Sequence, residues 1–546
     1  MKKWIWIWAA AALVGCGRHL ERVGSVDIVP EPSDVRVGEG VFSLTRRTEI
    51  RLPDGDSALV RTAELFGGLA GKSLGRPLAV VRGGGQGSGA ICVALGDLPA
   101  EAYVLSVRPD RIDLTGGSPA GVFYGFQTLR QLLPESALRG EKARAIDLPV
   151  VEIRDEPRIG YRALLLDVGR HFFGPEEVKS VIDLMAMHKL NRLQWHLTED
   201  QGWRIEIRKY PELTRRGAWR DRSDLRLAED GRPEKDPQPY GGYYTRQQVR
   251  EIVRYAADRF IEIVPEIEMP GHAMAALASY PWLGCLGEGY EVPSLWGVKE
   301  DVYCAGKDST FVFLEDVLTE VTDLFPYELV HIGGDECPKA RWKECPRCQR
   351  RMRDEGLGSE EELQSYFVRR IERFLASRNR RMVGWDEIRQ GGLSETAIVL
   401  SRKREQGLRS ALENGNDVIM TPYLNCYFDY YQGSRETEPL AFGGFLPLRT
   451  AYDLDPFEGL NAEQSRRILG VQCNLWTEFV ATLDHAEYML LPRLAAFAER
   501  AWTGGEGNYP DFLRRLESLS RLYDAQGYEY RDFRPEADSL RASLGS

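Results

Sequence analysis

Two adjacent carboxylates, Asp335 and Glu336, close the run Leu329-Val330-His331-Ile332-Gly333-Gly334-Asp335-Glu336. An apolar run that ends in two glycines and two acids reads as a buried strand delivering those acids to its carboxyl end. Neighbouring side chains on a strand point to opposite faces, but a Gly-Gly kink just before the pair relaxes that rule and lets both carboxylates reach one ligand. The chemistry open to such a pair is proton transfer by one acid and charge stabilisation by the other, because adjacent carboxylates split their pKa values. The competing reading is a strand followed by an Asp-Glu helix N-cap, which serves structure alone.

Further strand-like runs place the acids in context: Ala163–Val168, Asn191–Thr198, Glu262–Met269, Glu328–Glu336, Arg381–Ile388, Ala397–Arg402, Asp417–Pro422 and Leu469–Trp476. Helical stripes lie between them. Val178, Val181, Ile182 and Met185 fall at i, i+3, i+4 and i+7, and similar patterns run through Gln247–Phe260, Phe311–Leu324 and Glu361–Phe374. Eight strand-helix units predict an α/β fold of the (β/α)8 TIM-barrel class over residues 160–505, with long insertions. Functional side chains of such a barrel gather at the carboxyl ends of its strands. Those ends read Asp167-Val168-Gly169-Arg170-His171, His196-Leu197-Thr198-Glu199-Asp200, Glu266-Ile267-Glu268-Met269-Pro270-Gly271-His272, Asp335-Glu336, Trp385-Asp386-Glu387 and Trp476-Thr477-Glu478. Tyr427-Phe428-Asp429 comes just past the seventh strand. Any one of these is matched by a satisfied polar strand end, but seven on one rim exceed what packing requires.

The rest of the chain is plainer. Residues 25–155 mix strand-like runs (Phe42–Leu52, Ile91–Leu95, Tyr103–Val107, Arg111–Thr115) with helical ones (Ser57–Leu74, Ala120–Leu133), an α+β domain with no visible catalytic group. Residues 506–546 read as a C-terminal helical extension. The formal charge of −11 and the scatter of the 71 Lys and Arg argue against nucleic acid as a partner. Most of the 12 Trp and 23 Tyr belong to the core, although aromatic faces also suit sugar rings.

At the N-terminus, Lys2 and Lys3 precede an apolar run, Trp4 to Val14, that is too short to span a membrane and has the layout of a secretory signal. The following Leu13-Val14-Gly15-Cys16 resembles a bacterial lipoprotein signal. Residues 1–15 are then expected to be removed and Cys16 lipidated, anchoring an otherwise soluble protein to a membrane of the cell envelope. An ordinary signal peptide with a chance Cys is the alternative. Export permits disulfides, and Cys285 and Cys304 flank a loop that they could staple. Cys337, Cys345 and Cys348 include a Cys-x-x-Cys, but no neighbour in sequence completes a zinc tetrahedron, so a disulfide or packed thiols are expected there.

The motifs His331-x-Gly-Gly-Asp335-Glu336, Arg170-His171-Phe172, Trp195-His196-Leu197-x-x-Asp200-Gln201-Gly202-Trp203 and Pro265-Glu266-Ile267-x-Met269-Pro270-Gly271-His272 together resemble the family-20 glycoside hydrolases, the β-N-acetylhexosaminidases. The resemblance runs from about residue 25 to 505. It implies an exo-acting retaining enzyme without metal or organic cofactor, acting on terminal N-acetylglucosamine or N-acetylgalactosamine of an oligosaccharide. The nucleophile would be the substrate's own acetamide oxygen, an exception to the two-carboxylate scheme. Glu336 would be the general acid and base, with a pKa raised toward neutrality, and Asp335 the anion that holds the acetamide. The resemblance assigns Arg170, Asp429 and Glu478 to the sugar hydroxyls and Tyr427 to the acetamide oxygen. It assigns Glu199 and His272 to the support of the acid, and Trp385 and Trp476 to the wall and floor of the pocket.

Four positions depart from the family pattern; among them Glu268 stands where Asp is often found and Gln194 where His is commoner. Glu199 stands where Asp is usual, so an extra methylene enters the network behind His272. Ser401 stands where a tryptophan of the acetamide cage is common, so the cage is expected to lack one wall. The rival functions are a glycan-binding lipoprotein that lost turnover on the same fold, and a metal-dependent hydrolase using His196, His272 and Glu266.

Overall fold

The computed structural model describes residues 26–544 except 84, 86, 222–225, 228–232, 235–238 and 404–406; Cys16 and the leader lie outside the described residues. Residues 34–155 form one seven-stranded sheet. Its order is Asp34–Thr45, Ala145–Asp155, Tyr103–Val107, Ile112–Gly116, Ile91–Leu95, Glu49–Leu52, Ala79–Arg82, antiparallel through the first four strands and parallel in the rest. Helices Ser57–Leu74 and Pro119–Gln131 pack on it, the first capped by Asp56, whose carboxylate accepts the Ala58 N–H at 2.7 Å. The run expected over Phe42–Leu52 is broken by a turn, where the Thr48 N–H donates to the Thr45 carbonyl. The strand Ala145–Asp155 has no counterpart in the sequence reading, because Pro149 looks like a break. The sheet tolerates it where the register with the partner strand shifts, between Val37 and Val41.

The second unit is a closed parallel barrel of β1 (Tyr161–Asp167), β2 (Arg192–His196), β3 (Glu262–Glu266), β4 (Leu329–His331), β5 (Arg381–Trp385), β6 (Ile398–Ser401), β7 (Asp417–Met420) and β8 (Ile468–Leu475). Every residue of β1 is buried, as expected of a strand covered on both faces. Ala163, Leu165, Val264, Val383, Ile398, Leu400 and Ile419 fill the barrel interior together with Trp385. Helices follow most strands, including Pro175–Met187, Arg246–Ala257, Asp308–Leu324 and Glu360–Ser377. The fifth unit departs from the expected alternation, since β5 is followed only by the 3-10 turn Asp386–Arg389 among the described residues.

The two units join at the amino ends of the barrel strands through buried charges. The Asp155 carboxylate accepts from Lys189 Nζ at 2.9 Å, Tyr103 Oη at 2.7 Å and Trp502 Nε1 at 2.9 Å. Arg162 reaches from β1 to Glu101 of the first unit, at 2.9 and 3.0 Å. Helices Tyr509–Gln526 and Arg534–Leu544 close the chain.

Candidate active site

The turn after β4 explains why that strand is shorter than its apolar run. Gly333, Gly334 and Glu336 have φ of 67°, 91° and 42°, so the chain leaves the ladder after His331. A Cβ on Gly333 would lie 1.7 Å from a Glu268 carboxylate oxygen, and one on Gly334 would lie 2.3 Å from Ile388, so only glycine fits at either place. The Gly334 carbonyl is held by Gln364 Nε2 at 2.9 Å. The result places Asp335 buried against the barrel and Glu336 half in the open, both facing one cavity.

Behind the acids lies a chain of ionic contacts supplied by the ends of β1, β2 and β3. His272 Nδ1 lies 2.7 Å from Glu199 and 3.2 Å from Asp200, while its Nε2 lies 3.5 Å from Glu336. Glu199 also meets His196 Nε2 at 3.1 Å and Arg170 at 3.2 Å. Deeper still, Glu266 gathers His196 Nδ1 at 2.7 Å, Gln194 Nε2 at 2.7 Å and Trp385 Nε1 at 3.1 Å.

Protonation follows from these distances. Burial works against a charge on His272, but Glu199, Asp200 and Glu336 outweigh it and raise its pKa well above the ordinary value. His196 is likewise pushed up to about 10 by Glu266 and Glu199 against the effect of burial. Burial alone would raise Glu199, yet Arg170, His272 and His196 hold it well below the carboxylate range. Burial, with Asp335 and Glu266 nearby, moves Glu268 the other way, well above the carboxylate range. The two adjacent acids split as expected in principle but with the opposite sense. The His272 hydrogen bond lowers Glu336, while burial raises Asp335. Glu336 escapes the burial that the sequence reading assumed, because its side chain is 44% exposed and faces a cation.

The cavity holds about 500 Å³, the scale of a small-molecule site. Arg170, Asp429 and Glu478 are buried residues of its lining, with the Arg170 guanidinium 5.0 Å from the Trp476 ring. Burial raises both Asp429 and Glu478. One oxygen of each, with Asp335 Oδ1, is buried without a hydrogen-bond partner in the structure, and all three residues line the cavity. Buried acceptors left in that state favour a ligand that donates hydrogen bonds. Trp296, Val298 and Phe442 also line the cavity.

The catalytic-domain model of glycosyl hydrolase family 20 matches residues 160–505, and the model of that family's domain 2 matches residues 25–156. The chain belongs to glycoside hydrolase family 20. A β-hexosaminidase of Porphyromonas gingivalis is 43% identical over 538 residues, covering 96% of this chain and 67% of that protein. A β-N-acetylhexosaminidase of Cellulomonas fimi is 32% identical over 515 residues, covering 92% and 96%. The family-20 exo-β-N-acetylglucosaminidase of Vibrio harveyi, solved in complex with N-acetylglucosamine, matches with a TM-score of 0.82 at 32% identity, over 93% of this chain and 78% of that one. The β-N-acetylhexosaminidase of Bacteroides fragilis gives 0.79 at 31% identity, over 93% and 97%.

Within this family-20 site, the structure brings Glu336, Asp335, Arg170, Glu199, His272, Tyr427, Asp429, Trp476 and Glu478 to one cavity. Trp385 is the exception. It is fully buried beneath Trp476, at 5.7 Å between rings, and does not reach the cavity, because its indole N–H is tied down to Glu266. Glu199 closes the network that its extra methylene put in question; Gly169 makes room, since a Cβ there would lie 2.5 Å from the Glu199 Cβ. Ser401 is fully buried and donates to the Lys403 carbonyl, so it leaves no open notch. The next residue, Arg402, enters the cavity instead, 3.6 Å from Asp335, 3.7 Å from Asp386 and in contact with Glu387. Beside it, Tyr427 packs on Tyr430 at 5.9 Å, and both line the cavity. Arg402 and Trp296 were assigned no role from sequence. A lone cation at an acidic strand end was the available signal for Arg402; nothing local marks Trp296, which arrives on a long loop.

Proposed function

We propose that this family-20 hydrolase removes terminal N-acetylglucosamine or N-acetylgalactosamine from the non-reducing ends of oligosaccharides at the membrane surface of a bacterial cell envelope, tethered through Cys16. The observation that carries the sugar chemistry is the left-handed turn that presents Asp335 and Glu336 side by side, in one cavity with buried, unsatisfied carboxylate oxygens. A pocket that ties hydroxyls to buried oxygens admits only a chain terminus, which makes the reaction exo.

Each residue then has a task. Asp335 accepts the acetamide N–H, holds the acetamide oxygen under the anomeric carbon, and offsets the positive charge that develops there. Glu336 gives a proton to the leaving oxygen and later takes one from water, so the configuration is retained over two displacements. His272 Nε2 lies 3.5 Å from Glu336; that contact lowers the Glu336 pKa and, with Glu199, raises that of His272, which favours an imidazolium beside the acid that serves the leaving oxygen. Glu199 and Asp200 hold that imidazolium in place from the other side. Arg170, Asp429 and Glu478 engage the sugar hydroxyls, Tyr427 donates to the acetamide oxygen, and Trp476 offers its face to the ring.

The other readings find less support. Both carboxylates needed for turnover are in position, which a purely binding lipoprotein would not require. Both His196 ring nitrogens meet carboxylates at hydrogen-bond distance, as an imidazole serving the ionic network behind the acids does.

The test is release of aryl alcohol from N-acetylglucosaminide, N-acetylgalactosaminide and plain glucoside substrates, with and without chelator. The first two should be hydrolysed and the glucoside refused, and chelator added at the start of the assay should leave the initial rate unchanged. Glu336→Gln should lose about a hundredfold or more on poor leaving groups, whereas Asp335→Asn should lose that much even on activated ones. Activity on the glucoside, or near-normal activity of Asp335→Asn, would dismiss the acetamide as nucleophile. The tether is tested separately: Cys16→Ala should move the protein from the membrane to a soluble fraction, and wild type found there without an acyl mass would remove the anchor.

A further inference from the structure

We propose that Cys285, Cys304, Cys345 and Cys348 bind one zinc ion, which pins the loop that forms one side of the active-site mouth. The four Sγ atoms all lie within 4.8 Å of one another. Cys285 to Cys348 is 3.8 Å, Cys304 to Cys345 is 3.9 Å and Cys304 to Cys348 is 3.6 Å. A zinc–thiolate bond of about 2.3 Å gives a tetrahedron with edges of roughly 3.8 Å, which these separations match. A disulfide needs sulfurs about 2.05 Å apart, and two disulfides would leave the pairs unequal rather than gather all four sulfurs at one spacing. Cys345-Pro346-Arg347-Cys348 has no completing ligand nearby in sequence because the other half of the set lies far upstream. Cys337, a near neighbour of the pair in sequence, stays outside the cluster.

The surroundings suit thiolates. Cys345 is the N-cap residue of helix Pro346–Glu355 and Cys348 lies in its first turn, so both sulfurs sit at a helix start, where peptide dipoles favour thiolates. Cys304, Cys345 and Cys348 are buried, and Cys285 is half-buried, giving a closed site with no position left for a substrate. Backbones approach closely to build it. A Cβ on Gly306 would lie 2.2 Å from the Arg347 carbonyl carbon, so the chain returning from the loop sits directly on the start of the helix. Four thiolates from two separate segments constitute the usual structural zinc set, and such sites contribute directly to folding free energy.

The position gives the metal a purpose. Cys285 and Cys304 bracket the segment that carries Trp296, Gly297 and Val298 to the cavity, and Trp296 packs there on Phe442 at 5.3 Å and Phe479 at 5.7 Å. That segment contains no helix or strand longer than a bridge. Cys345 and Cys348 belong to the stretch that leaves the Asp335–Glu336 turn. The ion would therefore tie a rim without regular secondary structure to the backbone that sets the acids.

The experiment uses the intact chain, purified without reductant or chelator and dialysed against metal-free buffer. Elemental analysis should give one zinc per chain. Titration with a mercurial should release it to a colorimetric zinc indicator in step with four thiols. Cys345→Ser/Cys348→Ser should retain less than about a tenth of the zinc, while Cys337→Ser should retain all of it. If the double variant does not fold, the wild-type titration decides. Absence of zinc from the wild type overturns the proposal, whether the mass is lower by four hydrogens, as two disulfides require, or the four thiols titrate freely. Iron in its place, or zinc kept by the double variant, overturns it as well.

Discussion

Arg402 sets the lower end of the pH range in which Asp335 can act, and its removal has a calculable effect. Burial raises Asp335 toward its neutral form, and His272 and Arg402 oppose that. The Arg402 guanidinium stands 3.6 Å from the Asp335 carboxylate, with both groups largely shielded from water. Coulomb's law at an effective dielectric of about 20 gives roughly 4–5 kcal/mol at that separation. The guanidinium also serves Asp386 and Glu387. Assigning a third of the attraction to Asp335 leaves roughly 1.5 kcal/mol, or about one pKa unit. Asp335 is required as the anion, so activity is lost as pH falls through its pKa. Arg402→Met raises that pKa, and the acidic limb of kcat/KM should move upward by about one pH unit. The assay is kcat/KM from pH 3 to 8 on an aryl N-acetylglucosaminide whose leaving group needs no acid help, so that Glu336 does not contribute. Arg402→Lys keeps a cation and should restore most of the shift. An acidic limb that stays put, or moves down, in a folded Arg402→Met would refute the coupling.

Two further outcomes are expected. Lys189→Met removes the cation from a fully buried pair with Asp155 at the junction of the two units, and should cost about 3–5 kcal/mol in urea unfolding; a loss below about 1 kcal/mol would mean that Tyr103 and Trp502 satisfy Asp155 unaided. Tyr430→Ala opens the side of the cavity that Ser401 does not line. At ~25 cal/mol per Å2, some 40 Å2 of lost contact is worth about 1 kcal/mol, so discrimination between N-acetyl and N-propionyl substrates should fall about fivefold. An unchanged ratio would place the acyl group elsewhere.

Much of this architecture was legible because one local pattern recurs. Each barrel strand is an apolar run that ends in polar side chains, and the Gly-Gly kink before Asp335 announced the turn that the structure shows. What escaped depended on side-chain direction or on distance along the chain. Ser401 and Arg402 are neighbours, and sequence alone did not reveal that the first turns into the barrel wall while the second enters the cavity. The lowered pKa of Glu336 required knowing that His272, from another strand end, stands 3.5 Å away with its own proton secured by Glu199. The four clustered cysteines come from two segments joined only by the fold. Pro149 hid a strand because its tolerance depends on a register shift in the partner.

The buried lining of the cavity also has a bearing on the order in which a glycan is taken apart. Asp429 and Glu478 each keep an oxygen stripped of water and unpaired, with Arg170 lining the same cavity. A neutral sugar brings hydroxyls that donate to those oxygens. A terminal residue esterified with sulfate, or carrying a carboxylate, brings acceptor oxygens with no hydrogen to give to those acceptors, and must leave its own water behind to reach them. A 6-sulfated aryl substrate should therefore be cleaved far more slowly than its neutral counterpart, and equal rates would contradict this. The enzyme then works downstream of sulfatases and of the hydrolases that remove acidic caps, waiting for others to expose each neutral terminus.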